Sequence, residues 1–128
     1  MERGITLDTG ALIALERRRV HITRRIRAAI HYQDPVTVPS PVVTEWWRGG
    51  RRQQRFMALF QPKGLRVEAP SFELARIAGE AIALTNATAV DAIVMASAAQ
   101  RGDIVYTSDL SDLEHLRDVF PGVRLLPV

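Results

Sequence analysis

Ile5-Thr6-Leu7-Asp8-Thr9-Gly10-Ala11-Leu12-Ile13-Ala14-Leu15 changes period partway along its length. Ile5 and Leu7 alternate with a polar residue, as in a short buried strand, and the apolar run after Gly10 predicts a buried helix. Asp8 falls between the two, at the end of the strand. In open α/β sheets ligands bind beyond the carboxyl ends of strands, so a carboxylate placed there is a site candidate. The competing reading is a helix cap, in which Asp8 accepts a backbone N–H. The choice turns on whether other acids reach the same place.

Further along, the same alternation of elements repeats. The first helix ends in Glu16-Arg17-Arg18-Arg19, and a second carries Ile22, Ile26, Ala29 and Ile30 on one stripe, with Arg24, Arg25 and Arg27 between them. Those arginines form either a solvated face or one turned towards RNA or a protein. Asp34-Pro35 breaks the helix, and Val36-Thr37-Val38 predicts a second strand. Ser40-Pro41 then starts a helix through Val42, Val43 and Glu45-Trp46-Trp47, with Ser40 as its cap and Gly49-Gly50 as its stop. Gln53 to Phe60 reads as another helical segment, Pro62-Lys63-Gly64 as a turn, and Leu65 to Val67 as a third strand. Ser71 caps a long helix with Leu74, Ile77, Ala78, Ala81 and Ile82 on one face. Ala89 to Ala99 is apolar nearly all round, which predicts a central helix; its one charge is Asp91, and Gly102 ends it. Ile104-Val105-Tyr106 is the next strand, Leu110 to Val119 a last helix, and Val123 to Leu126 a last strand.

Strands alternating with helices predict an α/β fold, a three-layer α/β/α sandwich around a central parallel sheet. At 128 residues the chain is long enough for one core and too short for two, so residues 1–128 are expected to form a single domain. No apolar run approaches the ~20 residues of a membrane helix. Met1-Glu2-Arg3-Gly4 lacks the basic start and apolar stretch of a secretory signal, which leads to the expectation of a cytoplasmic protein. The absence of cysteine removes disulfides, thiolate nucleophiles and Cys-type zinc sites. The net charge is +3, and 16 of the 17 basic residues are arginine, since only Lys63 is lysine. Arginine binds phosphate through a rigid fork, which suits a nucleic-acid or acidic protein partner, although a GC-rich genome favours the same composition.

The acids fall at related places on this frame. Asp8 ends strand one, Glu45 lies about a helical turn beyond strand two, and Asp91 opens the helix that feeds strand four. Asp109 follows strand four, and Asp112 lies three residues on, on the same helical side. Each also has a purely structural reading. Thr88-x-x-Asp91 and Ser111-x-x-Glu114 fit capping boxes, Asp109 fits an N-cap, and Glu45 fits a solvated side chain. If the acids converge, their mutual repulsion calls for a divalent cation, and Mg²⁺ or Mn²⁺ matches an all-oxygen donor set. His21, His31 and His115 are too scattered to compete for a softer metal. Such an ion activates water and offsets charge on a phosphodiester. No Walker loop, Gly-x-Gly-x-x-Gly or Gly-x-Ser-x-Gly motif is present.

Four segments taken together carry a resemblance. They are Leu7-Asp8-Thr9-Gly10-Ala11-Leu12-Ile13-Ala14, Val43-Thr44-Glu45, Val90-Asp91-Ala92-Ile93-Val94-Met95-Ala96 and Ile104-Val105-Tyr106-Thr107-Ser108-Asp109-Leu110-Ser111-Asp112-Leu113. In order, spacing and total length the chain resembles PIN-domain ribonucleases, in particular the VapC-type toxins of toxin–antitoxin pairs. The resemblance implies a Mg²⁺- or Mn²⁺-dependent endoribonuclease whose acidic site matches Asp8, Glu45, Asp91 and Asp109, with Asp112 as an auxiliary acid. It implies a homodimer and a VapB-type antitoxin whose C-terminal segment wraps the toxin. Gly10 departs from the pattern, because relatives more often carry Ser, Asn or another small polar residue there, and the departure is expected to loosen hydrogen bonding near Asp8.

On this reading Asp8 and Asp91 are the principal metal ligands, while Glu45 and Asp109 complete the site and orient the attacking water. Arg48, Arg51 and Arg52 are the candidates for contacts to phosphates of unpaired RNA. Trp46 and Trp47 are expected to pack in the core or a dimer interface rather than to stack on bases. Two other readings stand beside this one. One is a non-catalytic RNA- or protein-binding module on the same fold. The other is a phosphatase with Asp8 as nucleophile, for which Asp8-Thr9-Gly10 lacks the second acid of an Asp-x-Asp motif.

Overall fold

A computed structural model describes residues 4–128; residues 1–3, where the absence of a signal sequence was read, lie outside the described part. β1 (Ile5–Leu7) is followed by α1 (Thr9–Glu16), α2 (Val20–His31) and β2 (Val36–Pro39). After α3 (Ser40–Trp46) and α4 (Arg51–Phe56) comes β3 (Leu65–Glu68). The long pair α5 (Phe72–Thr85) and α6 (Ala89–Arg101) leads to β4 (Ile104–Thr107), α7 (Leu110–Glu114) and β5 (Arg124–Pro127). The expected α/β architecture with a parallel sheet is the observed one.

All five strands are parallel, in the order β3-β2-β1-β4-β5. Ile5 lies opposite Val36 on one side and Ile104 on the other, which makes β1 the middle strand. β1, β2 and β4 are buried on both faces, as expected of a sheet covered by helices on each side. Right-handed crossovers put the helices before β3 on one face and those after it on the other. α6 packs on β1, β2 and β4, and its small residues Ala92, Ala96 and Ala98 let it sit close to the sheet. α5 lies along α6 through Ala78 and Ala81, which are also buried.

Four local expectations need correcting. Ser40 is not the cap of α3: Pro39 holds that position in extended backbone, because β2 runs directly into the helix, and Ser40 is already in its first turn. The segment expected from Gln53 to Phe60 starts earlier, at Arg51, and tightens into a 3-10 turn at Met57–Leu59. The last helix likewise shortens, with α7 giving way to a 3-10 turn at His115–Asp118. The tightening keeps Leu113 and Leu116, three residues apart, on one buried face. The box expected between Ser111 and Glu114 does not form, since Glu114 pairs with Arg117 at 2.9 Å and Ser111 lies inside the helix.

The amino end of the sheet carries a buried polar network. Thr6 donates to Asp103 at 2.8 Å, and Arg101 donates to both Asp103 and Thr6 at 2.8 Å while reaching Glu68 at 2.9 Å. Asp103 is thus a buried carboxylate with its own guanidinium.

Candidate active site

The chain runs outward from β1 through β2 to β3, then returns to lay β4 against the other side of β1. Where strand order reverses in this way, the helices that follow the two strands diverge and leave a crevice at the carboxyl edge. Asp8 follows β1 and Asp109 follows β4, so both open onto that crevice. Asp8 caps α1, accepting from the Ala11 N–H at 2.8 Å, and is only 6% exposed. The capping reading of Asp8 therefore holds, and it describes one oxygen of two.

Asp91 stands in the first turn of α6, half-buried, beneath the cap made when Thr88 Oγ1 accepts its N–H at 3.2 Å. α3 touches both α1 and α6, which brings Glu45 in from a third side. Glu45 is exposed, yet it is held: the Thr9 hydroxyl donates to Glu45 Oε1 at 2.5 Å. Asp109 makes no capping bond with its side chain; instead its N–H donates to Thr107 Oγ1 at 2.8 Å. The fully buried Thr107 hydroxyl also faces Asp8 and pulls its pKa down, so one side chain acts at the ends of both β1 and β4.

The charges of these acids act on one another. Burial pushes the Asp8 carboxyl above its ordinary range; the bonds from Thr107 and Ala11 pull the other way, and the charges of Asp91 and Asp109 add to the rise. Asp91 is also raised, first by burial and further by Asp112, Glu45 and Asp109, against the hydrogen bond of Thr88. Asp112, which is exposed, is raised because it shares a hydrogen bond with Asp109 and feels its charge, while His115 opposes the shift. Asp8, Glu45, Asp91, Asp109 and Asp112 thus belong to one electrostatic neighbourhood.

Arginine is missing from it. Among the described residues, arginine pairs with Glu16, Glu68, Asp103 and Glu114, and no basic side chain bridges to any acid of the crevice. In a chain with 17 basic residues, acids crowded together without a partner are a poor structural bargain and a good seat for a metal ion. The donors are all carboxylate oxygens, which suits a hard divalent cation. No three His, Asp or Glu side chains among the described residues close tightly enough to hold an ion unaided. Mg²⁺ keeps several of its waters and takes one or two carboxylates directly, so a site for it does not require three side chains to close on the ion. His21 and His31 are exposed on α2, away from the acids.

The arginine candidates separate. Arg48 folds back onto the end of α3, donating to the carbonyls of Trp47 at 2.6 Å and Thr44 at 3.2 Å. Arg52 lies 3.8 Å from Glu16, in a groove of about 640 Å³ between the α1–α2 hairpin and α4. Arg51 is exposed at the start of α4. Trp46 is in the core, as expected, where its indole donates to Glu16 at 2.9 Å and stacks near Phe56 and Phe60.

Reading the sequence for acids missed Thr9 and Thr107, the hydroxyls that hold them. A signal was present for Thr107, two residues before Asp109 in the spacing of a Ser/Thr turn. None existed for Thr9, whose partner is 36 residues away. Hydrogen bonding near Asp8 is not loosened by Gly10, since the bonds from Ala11 and Thr107 are both made.

Fold and site together describe a parallel α/β protein with an acid-lined crevice at its switch point. The sequence profile of the PIN domain matches residues 5–118, and the chain belongs to the PIN-domain family. No curated protein matches it closely enough to add to that. Among solved structures it is similar to VapBC2 of Rickettsia felis bound to a promoter DNA fragment, with 11% identity, 97% of this chain and 98% of that one covered, and a TM-score of 0.74. It is also similar to DNA-bound VapBC of Salmonella typhimurium, at 20% identity, 98% coverage of each chain and a TM-score of 0.73. A toxin–antitoxin complex of Klebsiella pneumoniae matches at 20% identity, covering 94% and 95%, with a TM-score of 0.70.

Proposed function

We propose that the protein is a Mg²⁺- or Mn²⁺-dependent endoribonuclease that acts as the toxin of a type II toxin–antitoxin pair. The observation that carries the catalytic reading is the set of carboxylates at the switch point whose charges act on one another without an arginine, whereas the buried Asp103 is paired with Arg101. The toxin reading is supported by PIN-family membership and by structural neighbours that are themselves toxin–antitoxin complexes.

A bound Mg²⁺ or Mn²⁺ would lower the pKa of a water and offset charge building on the phosphodiester. Asp8 and Asp91 are the principal ligands: Asp8 is buried and Asp91 half-buried, so both gain most from a nearby positive charge. Glu45, fixed by Thr9, and Asp109, fixed by Thr107, complete the site directly or through water and orient the attacking water. Asp112 is auxiliary and acts through Asp109. Arg51 is the freest of the three arginine candidates to meet a phosphate of unpaired RNA, because Arg48 and Arg52 have protein partners.

The groove between the α1–α2 hairpin and α4 suits an antitoxin segment, since Arg17, Arg27 and Arg55 rim a floor of Ile26, Ile30 and Phe56. We propose a homodimer acting in the cytoplasm; no described helix is long and apolar enough to cross a membrane. The test is cleavage of a single-stranded or looped RNA by the purified chain with Mn²⁺. Cleavage that disappears with EDTA and with Asp8→Asn supports the nuclease; absence of cleavage favours the second reading, a non-catalytic module, which the lack of a three-acid metal group among the described residues also suits.

A further inference from the structure

Gly10 lies in the first turn of α1 with no left-handed backbone to explain its glycine. The reason is space. A Cβ at position 10 would stand 1.7 Å from Ser108 Oγ and 2.8 Å from Ser108 Cβ. Carbon atoms in contact sit about 3.5–4.0 Å apart, so no side chain fits there while Ser108 keeps its place. Turning the hydroxyl away would relieve the first clash and leave the second. Ser108 is therefore laid across the turn that follows Asp8, at the junction of β1 and β4.

What the hydroxyl does there follows from its neighbours. Thr9 donates to Glu45, Thr88 caps α6, Thr107 serves Asp8 and Asp109, and Ser111 reaches Asp109 at 3.4 Å. Ser108 Oγ alone of these makes no hydrogen bond to another described residue, and Ser108 is exposed, next in sequence to Asp109. We infer that Ser108 supplies a neutral hydroxyl that donates to a phosphate oxygen of the substrate, and that Gly10 is glycine to make room for it. In a crevice lined by carboxylates an incoming phosphate meets repulsion on most sides, so a neutral donor at the rim is of particular use. Serine is such a donor, and its proton rotates to suit the acceptor. The substrate named here rests on the nuclease reading; the packing of the two residues does not.

The experiment separates those parts. Dissociation constants for a fluorescein-labelled single-stranded RNA are measured by anisotropy, alongside KM, kcat and thermal stability. Ser108→Ala should weaken RNA binding and raise KM by about threefold to tenfold, the value of one hydrogen bond, with kcat and Mn²⁺ half-saturation little changed. Ser108→Thr keeps the hydroxyl and should bind RNA like the natural protein. Gly10→Ala should lower Tm and weaken RNA binding together, and adding Ser108→Gly should recover Tm without recovering binding. Gly10→Ser with Ser108→Gly returns a hydroxyl from the opposite side and should recover both. Unchanged RNA binding in Ser108→Ala overturns the role of the hydroxyl, and an unchanged Tm in Gly10→Ala overturns the packing. If the natural protein binds RNA but does not cleave it, the nuclease reading falls while the binding and Tm comparisons still decide this one.

Discussion

At the scale of single residues, the described residues include two buried aspartates that differ in their partners. Asp103 is paired with Arg101 and bonded by Thr6, whereas Asp8 has hydrogen bonds but no cation. An unpaired buried charge costs stability, so its retention points to a use. Asp8→Asn removes the charge while an amide oxygen can still cap α1 at Ala11. The metal-free variant should therefore melt a few degrees higher than the natural protein, and kcat/KM should fall at least about a hundredfold, since a metal site supplies several kcal/mol. A lower Tm by calorimetry would mean that the charge at Asp8 is not a burden. Thr9 deserves the same treatment. Thr9→Val keeps the shape and removes the donor to Glu45, and should raise the Mn²⁺ concentration for half-maximal cleavage by about tenfold, as loss of outer partners of metal ligands does. Thr9→Ser should restore it; equal metal dependence in all three proteins would leave Thr9 without a role in the site.

At the scale of elements, most of the fold was legible because its signals are local. Ser71 and Thr88 cap α5 and α6 where the sequence places them, with Leu74 N at 3.1 Å and Asp91 N at 3.2 Å. Asn86 and Gly102 end the same helices in left-handed backbone. The errors fall where an element is short and tertiary packing sets its pitch, as at the 3-10 turns after α4 and α7. Pro39 displaced Ser40 as a cap because strand pairing with Glu68 carries β2 one residue further than its apolar pattern. Thr88 also has a functional consequence at this scale, since it fixes the start of the helix that carries Asp91. Thr88→Ala should cost about 1 kcal/mol in denaturant unfolding, the usual value of an N-cap, and should weaken Mn²⁺ dependence as well. Loss of stability with unchanged metal dependence would confine Thr88 to capping.

Across the whole molecule, the acid cluster links stability to pH and to metal. Asp8 and Asp91 take up protons more readily folded than unfolded, because both are raised above the ordinary 3.8. Their contribution to stability is complete below the unfolded value and is lost as pH rises through the raised folded values. In metal-free protein, these two groups should therefore favour a lower Tm on going from about pH 4 to about pH 8. The double variant Asp8→Asn, Asp91→Asn should lack that component. Millimolar Mn²⁺ should restore Tm at neutral pH in the natural protein by binding the folded state alone, and should do little for the double variant. Identical pH profiles for the two proteins, with and without Mn²⁺, would show that the carboxylates do not share one field.

Read alone, the sequence determined the parallel α/β class, the order of elements, the main caps and the acids worth watching, because period, turn residues and capping patterns act over a few residues. It also carried the PIN resemblance in the order and spacing of those acids. Tertiary structure decided what needs distant segments to meet. It set β1 between β2 and β4, and so put Asp8 and Asp109 on one crevice. It joined Thr9 to Glu45, kept arginine away from the acids while giving one to Asp103, and laid Ser108 over Gly10. Arg101 and Asp103 are two residues apart, but the other partners lie tens of residues apart and meet only because the sheet sets their strands side by side.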